Sequence, residues 1–353
     1  MIDISDYGYN GVDKENIARV TAVHKERYEM VCSHGEVFGR LKGSVYYSGS
    51  SAMYPTTGDF VKIQFNGQGD SLITQTLPRS SKFSRSNLAG HAEAYVKTVQ
   101  EQVVAANFDY VFILASLNRD FSPRRIERYA ALAWQSGAQP VILLTKADLK
   151  PDHTEELGAA EHAAPGVPAY AVSSRTGYGL KELDRYFAAR KTAVFLGSSG
   201  VGKSSLLNAL AGEQIMSVKE IREDDSRGRH TTTHRQLIML KSGAMIIDTP
   251  GMRELGLWAA SEGLVNAFSD VESVLLRPCR FNDCRHESEP GCSVKAATES
   301  GELSRERWDS YMALKREARF ADDKAAALKE KNEFFKSIAK AGKEKKKNGM
   351  LRE

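Results

Sequence analysis

The sequence predicts a multidomain α/β protein in which a small β-barrel, a doubly wound sheet covered by helices, and a helical metal-binding domain follow one another. Three observations predict this organisation. Short alternating apolar runs fill residues 17–77, near-continuous apolar runs alternate with helical patterns up to residue 258, and three of the four cysteines fall near the carboxyl end. Alternation favours antiparallel strands buried on one face, whereas continuous apolar runs are typical of parallel strands buried on both. We therefore place the domains at residues 1–85, 86–258 and 259–353.

The first domain is predicted to be a closed antiparallel barrel. Gly, Asn and Asp, which favour turns, separate its strand-like runs IARVTAVHKERYEMVC, GEVFGRLKG, GDFVKIQF and SLITQTL. An oligonucleotide-binding barrel is our first interpretation and an SH3-like barrel the second. The polar stretch that follows, PRSSKFSRSNLAGH, is either a plain linker or a basic loop that contacts phosphate.

The second domain alternates predicted strands with predicted helices. Helices are predicted for VKTVQEQVVAANF, PRRIERYAALAWQSG and GLKELDRYFA, and strands for DYVFILAS, QPVILLTKAD, PAYAVSS and KTAVFLGSSG. This alternation indicates a doubly wound parallel sheet, in which ligand-binding loops lie at the carboxyl ends of the strands. The motifs at these strand ends are therefore expected to share one crevice.

The last of these strands runs into GSSGVGKSS, which matches the pattern G-x-x-x-x-G-K-[ST] of a phosphate-binding loop. In such a loop the glycines let backbone N–H groups surround the phosphates. Lys203 then reaches the β- and γ-phosphate oxygens, and the Ser204 hydroxyl coordinates Mg²⁺. The predicted nucleotide-binding residues of the loop are Gly197, Ser198, Ser199, Gly200, Val201, Gly202, Lys203, Ser204 and Ser205.

A second phosphate-side motif, AMIIDTPG, is an apolar run that ends at Asp248. Its carboxylate is predicted to hold Mg²⁺, and the N–H of Gly251 to meet the γ-phosphate. The polar segment REDDSRGRHTTTHRQ lies between the two motifs, and one of its threonines would complete the Mg²⁺ shell. Thr232 is preferred, with Thr231 and Thr233 as alternatives. The predicted magnesium ligands are Ser204, Thr232 and Asp248.

The stretch TKAD, after the second apolar strand of this domain, predicts that the base is guanine. The Asp148 carboxylate only accepts hydrogen bonds, which suits the N–H donors of guanine and opposes the N1 acceptor of adenine. Lys146 is expected to lie along the base, and Thr145 to contribute a weaker bond. The later stretch VSSRTG places Ser173 and Ser174 where a backbone N–H would meet guanine O6.

The guanine motif precedes the phosphate loop, although it follows that loop in an ordinary GTP-binding domain. The order is a cyclic shift, and such a permutation keeps a site intact when the ends of a domain lie close together. In this permuted order, residues 248–256, which are expected to sense the γ-phosphate, lie directly before a predicted helix at 261–276 and the cysteine cluster. We therefore hypothesise that GTP sets the orientation of the third domain.

The cysteine cluster CRFNDCRHESEPGC supplies three thiols and one imidazole. Such a set suits one structural Zn²⁺ in a closed tetrahedral site. Free thiols or another thiophilic metal are the alternatives. The predicted ligands are Cys279, Cys284, His286 and Cys292, whereas Cys32 is expected to be an ordinary half-buried thiol.

The charge of the chain is uneven, although the formal net charge is only +4. From Lys324 onward lysines outnumber acids, which indicates a polyanionic partner such as nucleic acid or, for the last ten residues, a solvated tail. The first residues lack the pattern of a secretory signal, and no window holds the ~18 consecutive apolar residues of a membrane-spanning helix. We expect a cytoplasmic protein without a membrane partner.

These motifs, in this order, resemble those of the RsgA/YjeQ family of bacterial ribosome-biogenesis GTPases. The resemblance rests on GSSGVGKSSLLN, GRHTTTHR, DTPGMRE and the cysteine–histidine cluster, and it extends from ARVTAVHKERYEM to about residue 320. It implies an oligonucleotide-binding barrel, a permuted GTPase domain and a zinc domain. It also implies GTP hydrolysis that is slow alone and stimulated by the small (30S) ribosomal subunit during late maturation. We expect a monomer that binds GTP, GDP and the 16S rRNA of that subunit.

The residue that orients the attacking water is not the usual one. Met252 stands where many GTPases place a glutamine, and a thioether cannot do this work. His230 is predicted to act instead, because imidazole accepts a proton near neutral pH. Contact with RNA or simple packing is the alternative for His230, and Lys203 and Thr232 are the other predicted catalytic residues. An alternative function is an RNA-binding assembly factor that uses GTP and GDP only as a conformational switch.

Overall fold

A computed structural model of the chain describes residues 2–24, 27–43, 54–89, 98–118, 121–216, 235–248, 261–287 and 289–319. Its first part is a barrel of five strands, namely β1 (Ile17–His24), β2 (Arg27–Cys32), β3 (Gly35–Leu41), β4 (Phe60–Gln64) and β5 (Ser71–Thr76). The strands are ordered β1-β2-β3-β5-β4, and β4 pairs back with β1 to close the barrel. β3 and β5 run parallel, whereas the other neighbours run antiparallel.

Inward-pointing apolar side chains hold the barrel together. Val20, Met30, Val61 and Ile73 are buried in one cluster at its centre. Cys32, expected to be half-buried, is fully buried in the same cluster. A closed five-stranded barrel of this kind is the oligonucleotide-binding type, so the first interpretation of the sequence is confirmed.

A two-stranded antiparallel sheet of β6 (Lys82–Ala89) and β7 (Thr98–Ala106) follows the barrel. The helix predicted for VKTVQEQVVAANF is therefore wrong. β-Branched Thr and Val make up much of β7, and they favour extended backbone because a helix restricts their side chains. Val103 and Val104, which lie where the pairing with β6 shifts register, are both buried.

The polar stretch between the barrel and β7 uses its charges within the protein. Arg79 donates to both carboxylate oxygens of the buried Asp59, at 2.8 and 2.7 Å. Lys82 forms an ion pair of 2.6 Å with Glu101. These contacts favour a structural linker over a phosphate-contacting loop at Arg79 and Lys82.

The central domain is a doubly wound sheet, as predicted. Its elements are β8 (Tyr110–Ser116), α1 (Pro123–Gln135), β9 (Gln139–Thr145), α2 (Thr154–Ala163), β10 (Ala169–Val172), β11 (Thr192–Gly197), α3 (Lys203–Ala211), β12 (Gln236–Met239) and β13 (Met245–Asp248). The strand order is β10-β9-β8-β11-β13-β12, with β12 antiparallel to β13 and the other neighbours parallel. GLKELDRYFA, predicted as a helix, forms a 3-10 helix over Leu180–Tyr186.

The sheet is buried on both faces, which explains its continuous apolar strands. In β8, Val111 and Ile113 belong to the core that also contains α1, α2 and the carboxyl-terminal helices. Phe112 and Leu114, which point the other way, pack with α3 and the 3-10 helix. The strand order places β11, which carries the phosphate loop, between β8 and β13.

The third domain is helical and contains α4 (Ser261–Ala267), α5 (Ser269–Leu275), α6 (Ser293–Glu299) and α7 (residues 305–319). The one helix predicted over residues 261–276 is thus divided into two. The break lies at Phe268, which leaves helical geometry (ψ 40°) and is fully buried in the core. No helix among the described residues is long and apolar enough to cross a bilayer.

Arg19 joins the barrel to the central sheet. Its side chain is fully buried and donates to the backbone carbonyl of Asn107 at 2.7 Å, to that of Tyr7, and to the hydroxyl of Thr192 at 3.0 Å. Burial lowers the pKa of Arg19 to about 10, so the guanidinium stays charged at neutral pH. A buried charge is costly unless it is hydrogen-bonded, so moving the two domains apart would leave the guanidinium without these acceptors.

Candidate nucleotide site and cysteine–histidine cluster

The phosphate loop connects β11 to α3. The strand ends at Gly197 and the helix begins at Lys203. Gly200 and Gly202 between them have φ of 77° and 99°, a left-handed conformation that favours glycine. Val201 is buried and anchors the loop against the sheet. The turn therefore opens onto the amino-terminal end of α3, where backbone N–H groups are free to bind an anion.

Lys203 and Asp248 meet across this loop. The Nζ of Lys203 lies 3.2 Å from Oδ1 of Asp248, which is 3% exposed. This oxygen accepts no hydrogen bond from any of the described residues, although it is buried. A buried carboxylate oxygen without a hydrogen bond, beside a phosphate loop, suits a cation held together with phosphate. The residues present therefore fit Mg²⁺, with Asp248 and Ser204 on the described part of its predicted shell.

Thr145 connects the guanine motif to the phosphate loop. Its buried hydroxyl donates to the backbone carbonyl of Val201 at 2.5 Å, across 56 positions of the chain. Sequence reasoning assigned Thr145 a weak contact with the base and missed this bond. No local pattern signals it, because β9 and β11 are separated by β8 and meet only through their terminal loops.

The base-reading residues lie together at the ends of β9 and β10. Lys146 adopts a left-handed conformation (φ 62°), and Asp148 follows in a short 3-10 turn. The hydroxyl of Ser173, which is fully buried, donates to Oδ1 of Asp148 at 2.6 Å. The same hydroxyl oxygen accepts from the N–H groups of Arg175 and Thr176 at 3.3 Å. This network fixes the carboxylate beside the backbone of residues 172–177 (VSSRTG), which we call the follower loop and which includes Ser174.

Three predicted phosphate-side residues lie outside the described residues, namely His230, Thr232 and Gly251. The structure does describe how the chain leaves α3 toward them. Asn208 donates to the carbonyl of Met216 and accepts from its N–H, both at 2.8 Å. Sequence reasoning missed this clamp, although an amide side chain inside LLNALAG is the kind of residue that makes such a pair of bonds.

The four predicted metal ligands form one cluster, and their ligand atoms all lie within 4.8 Å of one another. The sulfurs of Cys279, Cys284 and Cys292 lie 3.6, 3.7 and 3.5 Å from Nδ1 of His286. A tetrahedral Zn²⁺ with ordinary Zn–S and Zn–N bond lengths would separate sulfur from nitrogen by about 3.6 Å. The geometry therefore fits one four-coordinate metal ion bound by three sulfurs and one nitrogen.

Neighbouring groups donate hydrogen bonds to the sulfurs of two of the cysteines. Cys279 accepts from the hydroxyl of Ser293 at 3.2 Å and from its N–H at 3.3 Å, which together lower the pKa of Cys279. Cys292 caps α6 and accepts from the N–H of Lys295 at 3.5 Å. By contrast, partial burial raises the pKa of Cys284 to about 11, so a bound cation is needed to hold it as a thiolate at neutral pH.

Comparison with known proteins agrees with this geometry. The sequence model of the RsgA GTPase family matches residues 76–258. A relative from Listeria monocytogenes serotype 4b, named small ribosomal subunit biogenesis GTPase RsgA 2, is 43% identical over 347 residues, covering 96% of both chains. A relative from Streptomyces avermitilis, named small ribosomal subunit biogenesis GTPase RsgA, is 48% identical over 265 residues, 74% of this chain and 69% of its own.

Two solved structures share the fold. YjeQ from Thermotoga maritima has a TM-score of 0.60 at 24% identity and covers 85% of this chain and 96% of its own. YloQ, described as a circularly permuted GTPase, has a TM-score of 0.58 at 24% identity and covers 90% and 99%. The resemblance seen in the motifs is confirmed: this chain belongs to the RsgA GTPase family, whose activity is the hydrolysis of GTP.

Proposed function

We propose that this protein binds the small (30S) ribosomal subunit in the cytoplasm, as a monomer, and hydrolyses GTP there during late maturation of the subunit. The observation that carries the proposal is the 96% mutual coverage with a relative named for small ribosomal subunit biogenesis. That coverage includes the barrel and the cysteine cluster as well as the GTPase domain. Stimulation of hydrolysis by the subunit is part of the same proposal.

The phosphate site supports hydrolysis through charge placement. The ammonium of Lys203 lies 3.2 Å from Oδ1 of Asp248 beside the phosphate loop, and we expect it to reach the β- and γ-phosphate oxygens when a nucleotide binds. Asp248 and Ser204, with Thr232, are the residues we propose to hold Mg²⁺. When bound, Mg²⁺ neutralises negative charge that develops on the phosphate oxygens. Gly197 to Ser205 and Gly251 supply the backbone N–H groups that orient the γ-phosphate.

The base site supports guanine over adenine. Asp148 presents one carboxylate oxygen that Ser173 holds at 2.6 Å, which leaves the other oxygen to accept from the base. Lys146 is placed to lie along the base, and the follower loop with Ser173 and Ser174 presents backbone N–H groups for O6. We propose that Thr145 contributes to nucleotide binding through the phosphate loop, by its bond to Val201.

The outer face of the barrel supports contact with 16S rRNA. Phe38 is 41% exposed on β3, and the guanidinium of Arg27 lies 3.8 Å from the centre of its ring. Arg27 and Arg40 share the carboxylate of Asp70. An exposed aromatic ring offers stacking for unpaired bases, and two arginines that share a single carboxylate leave a net positive charge for phosphate. Replacing Phe38 with Ala is expected to weaken subunit binding, whereas the matched replacement of Tyr178, exposed in the GTPase domain, should not.

The cysteine–histidine cluster is proposed to hold a structural Zn²⁺ rather than another thiophilic metal. Its four protein ligands complete a tetrahedron and so leave no open position for a substrate. The ring of Trp308, on α7, packs edge-on against His286 with 5.9 Å between ring centres. The metal would therefore fix the loop between α5 and α6 against α7.

His230 is proposed to orient the attacking water, because Met252 cannot. The test is the His230→Ala variant in the presence of small subunits. Loss of stimulated turnover with unchanged GTP binding supports the catalytic role, and normal stimulated turnover eliminates it. An assembly factor with little turnover remains the competing function, and the measurement that follows separates the two.

Phosphate release under multiple turnover tests the proposed function directly. We expect purified small subunits to raise turnover of the full chain at least tenfold, and large subunits to leave it unchanged. The Lys203→Ala variant controls for contaminating GTPases in the subunit preparation. Turnover that does not respond to small subunits, or that responds equally to large ones, would contradict the proposal. Binding to small subunits without turnover would instead favour the switch-only factor.

A further inference from the structure

The barrel and the phosphate site are joined through one row of backbone pairs. Strand β1 of the barrel pairs with β12 at Ala22 and Gln236. The same Gln236 pairs on its other side with Asp248, the last residue of β13. Adjacent strands are about 4.8 Å apart, so Ala22 lies roughly 10 Å from the carboxylate-bearing residue of the phosphate site.

A buried threonine of the barrel strengthens this junction. The hydroxyl of Thr57, which is fully buried, donates to the backbone carbonyl of Arg235 at 3.3 Å. Its own carbonyl accepts from the N–H of Ala106, on β7, at 3.1 Å. Thr57 therefore connects the residue directly before β12 to the sheet that follows the barrel.

The neighbouring glycine shows how closely the two domains approach at this point. Gly58 has a φ of 94°, and a Cβ built on it would lie 2.1 Å from the carbonyl oxygen of Ala106 and 2.8 Å from a methyl group of Ile247. Ile247 immediately precedes Asp248. The barrel segment that carries Thr57 is thus packed against β13 with no room for another atom.

These contacts lie beside the end of β13, which carries Asp248. Oδ1 of Asp248 accepts no hydrogen bond from the described residues and faces only the ammonium of Lys203. On the edge opposite β11, β13 is supported by the four-residue strand β12, whose outer neighbour is the barrel strand β1. Along the chain, Arg235 also follows the predicted magnesium ligand Thr232 by three positions.

We propose that Thr57 is a positioning residue for GTP hydrolysis. It does not reach the nucleotide; it acts by holding Arg235 and Gln236 in register against Asp248. The barrel thereby contributes to the geometry of the phosphate site as well as to any contact with RNA. The inference needs only the hydrolysis of GTP and does not depend on the ribosomal partner.

The test compares three variants of the full chain in the absence of ribosomal particles. Thr57→Val keeps the shape of the side chain and removes the hydroxyl, whereas Thr57→Ser keeps the hydroxyl. Thr74→Val is the matched control, because Thr74 donates to the carbonyl of Lys62 at 3.2 Å wholly within the barrel. Steady-state and single-turnover hydrolysis are measured for each variant and for the wild type, with GTP affinity measured separately.

We expect Thr57→Val to lower kcat about three- to tenfold, the range that one net hydrogen bond provides when it is lost from the reacting geometry. KM for GTP should change less than twofold, Thr57→Ser should restore kcat to within twofold of the wild type, and Thr74→Val should leave both parameters unchanged. Wild-type kcat in Thr57→Val would overturn the proposal. So would an equal loss in Thr57→Val and Thr57→Ser, which would indicate packing alone, or a loss confined to KM.

Thermal unfolding of each variant separates positioning from loss of structure. If Thr57→Val does not fold, Thr57→Ala replaces it and the same comparison with Thr57→Ser applies. Failure of small subunits to stimulate the wild type would count against the proposed function only. Failure of Thr57→Val to lower kcat would count against the positioning role only.

Discussion

Replacing Arg307 on α7 should lower the free energy of unfolding by a large amount for a single side chain. Its guanidinium is 2% exposed and donates to Glu127 on α1 at 3.0 Å and to both carboxylate oxygens of Asp270 on α5 at 3.0 Å. It also donates at 2.7 Å to the carbonyls of Ala163, at the end of α2, and Ala267, at the end of α4. One side chain therefore holds four helices of two domains.

The size of the effect follows from what Arg307→Met would leave behind. The Glu127 side chain is 7% exposed, so its carboxylate would remain buried, and among the described residues the hydroxyl of Ser310 would be its one remaining partner. Two buried carbonyls would lose a donor as well. Breaking a buried ion pair by removing one partner costs about 3–5 kcal/mol of the free energy of unfolding. Removing both charges, in Arg307→Met with Glu127→Gln, should recover part of that loss.

Urea unfolding followed by tryptophan emission measures this cost, because Trp308 is buried beside Arg307 and reports on the same interface. Arg305→Met is the matched control on the same helix. Arg305 pairs with Asp309 at 3.2 Å, but the two side chains are 70% and 53% exposed, so the loss should stay below about 0.5 kcal/mol. A loss below 1 kcal/mol in Arg307→Met, or equal losses in both variants, would refute the reasoning.

The nucleotide site and the cysteine cluster give three more predictions. Asp148→Asn should weaken GTP binding about 10- to 10²-fold in an equilibrium titration, because the base loses its bond to the free, charged carboxylate oxygen. Unchanged affinity would exclude Asp148 from the base site. Thr145→Val should weaken GTP binding about tenfold, because the carbonyl of Val201 loses its donor, and Thr145→Ser should restore the affinity. Equal affinities of the two variants would mean that the hydroxyl does not contribute to GTP binding. Elemental analysis should find one zinc per chain, lost in Cys292→Ser and kept in Cys32→Ser; a metal other than zinc, or retention in Cys292→Ser, would contradict the assigned site.

The parts of the structure that were predictable are those that short stretches of chain determine. The phosphate loop needs glycines at fixed offsets, and the cysteine cluster spans only fourteen positions, so the spacing of residues already carries the geometry. The cyclic order of motifs was readable for the same reason, because each motif keeps its own strand and loop. The sheet then brings these loops together by its strand order.

The contacts that were not predictable are made between distant residues. Arg19 reaches Met245 across 226 positions and Arg307 reaches Glu127 across 180, and no local sequence pattern signals either contact. The strand β7 was missed because Val96, Val99 and Val103 have the spacing of one face of a helix, while pairing with β6 decides the backbone. In each case the deciding partner is supplied by tertiary structure, which local propensity does not contain.

The two flanking domains are both attached to the central sheet by buried contacts, and these contacts bear on which domain responds to the nucleotide. The chain leads from Asp248 toward α4, so connectivity alone favours the third domain as the responding part. Yet α4 packs tightly on α1: the N–H of Gly263 donates to Gln135 at 3.1 Å, and a Cβ on Gly263 would lie 2.3 Å from the carbonyl oxygen of Ala131.

Reorienting the third domain would also require the buried Arg307 network to open, which exposes charges that pair inside the protein. The barrel meets the sheet beside Asp248 through the Ala22–Gln236 pair and the hydroxyl of Thr57, contacts of about 1 kcal/mol each. The fully buried Arg19 adds bonds from the barrel to Asn107 and Thr192, so a buried arginine opposes movement of each flanking domain. If so, the Arg307→Met variant should show a nucleotide-dependent distance between α1 and α7 in labelled protein that the wild type lacks. An equal distance change in the wild type would mean that the network opens during the normal cycle and that the third domain is the responding part.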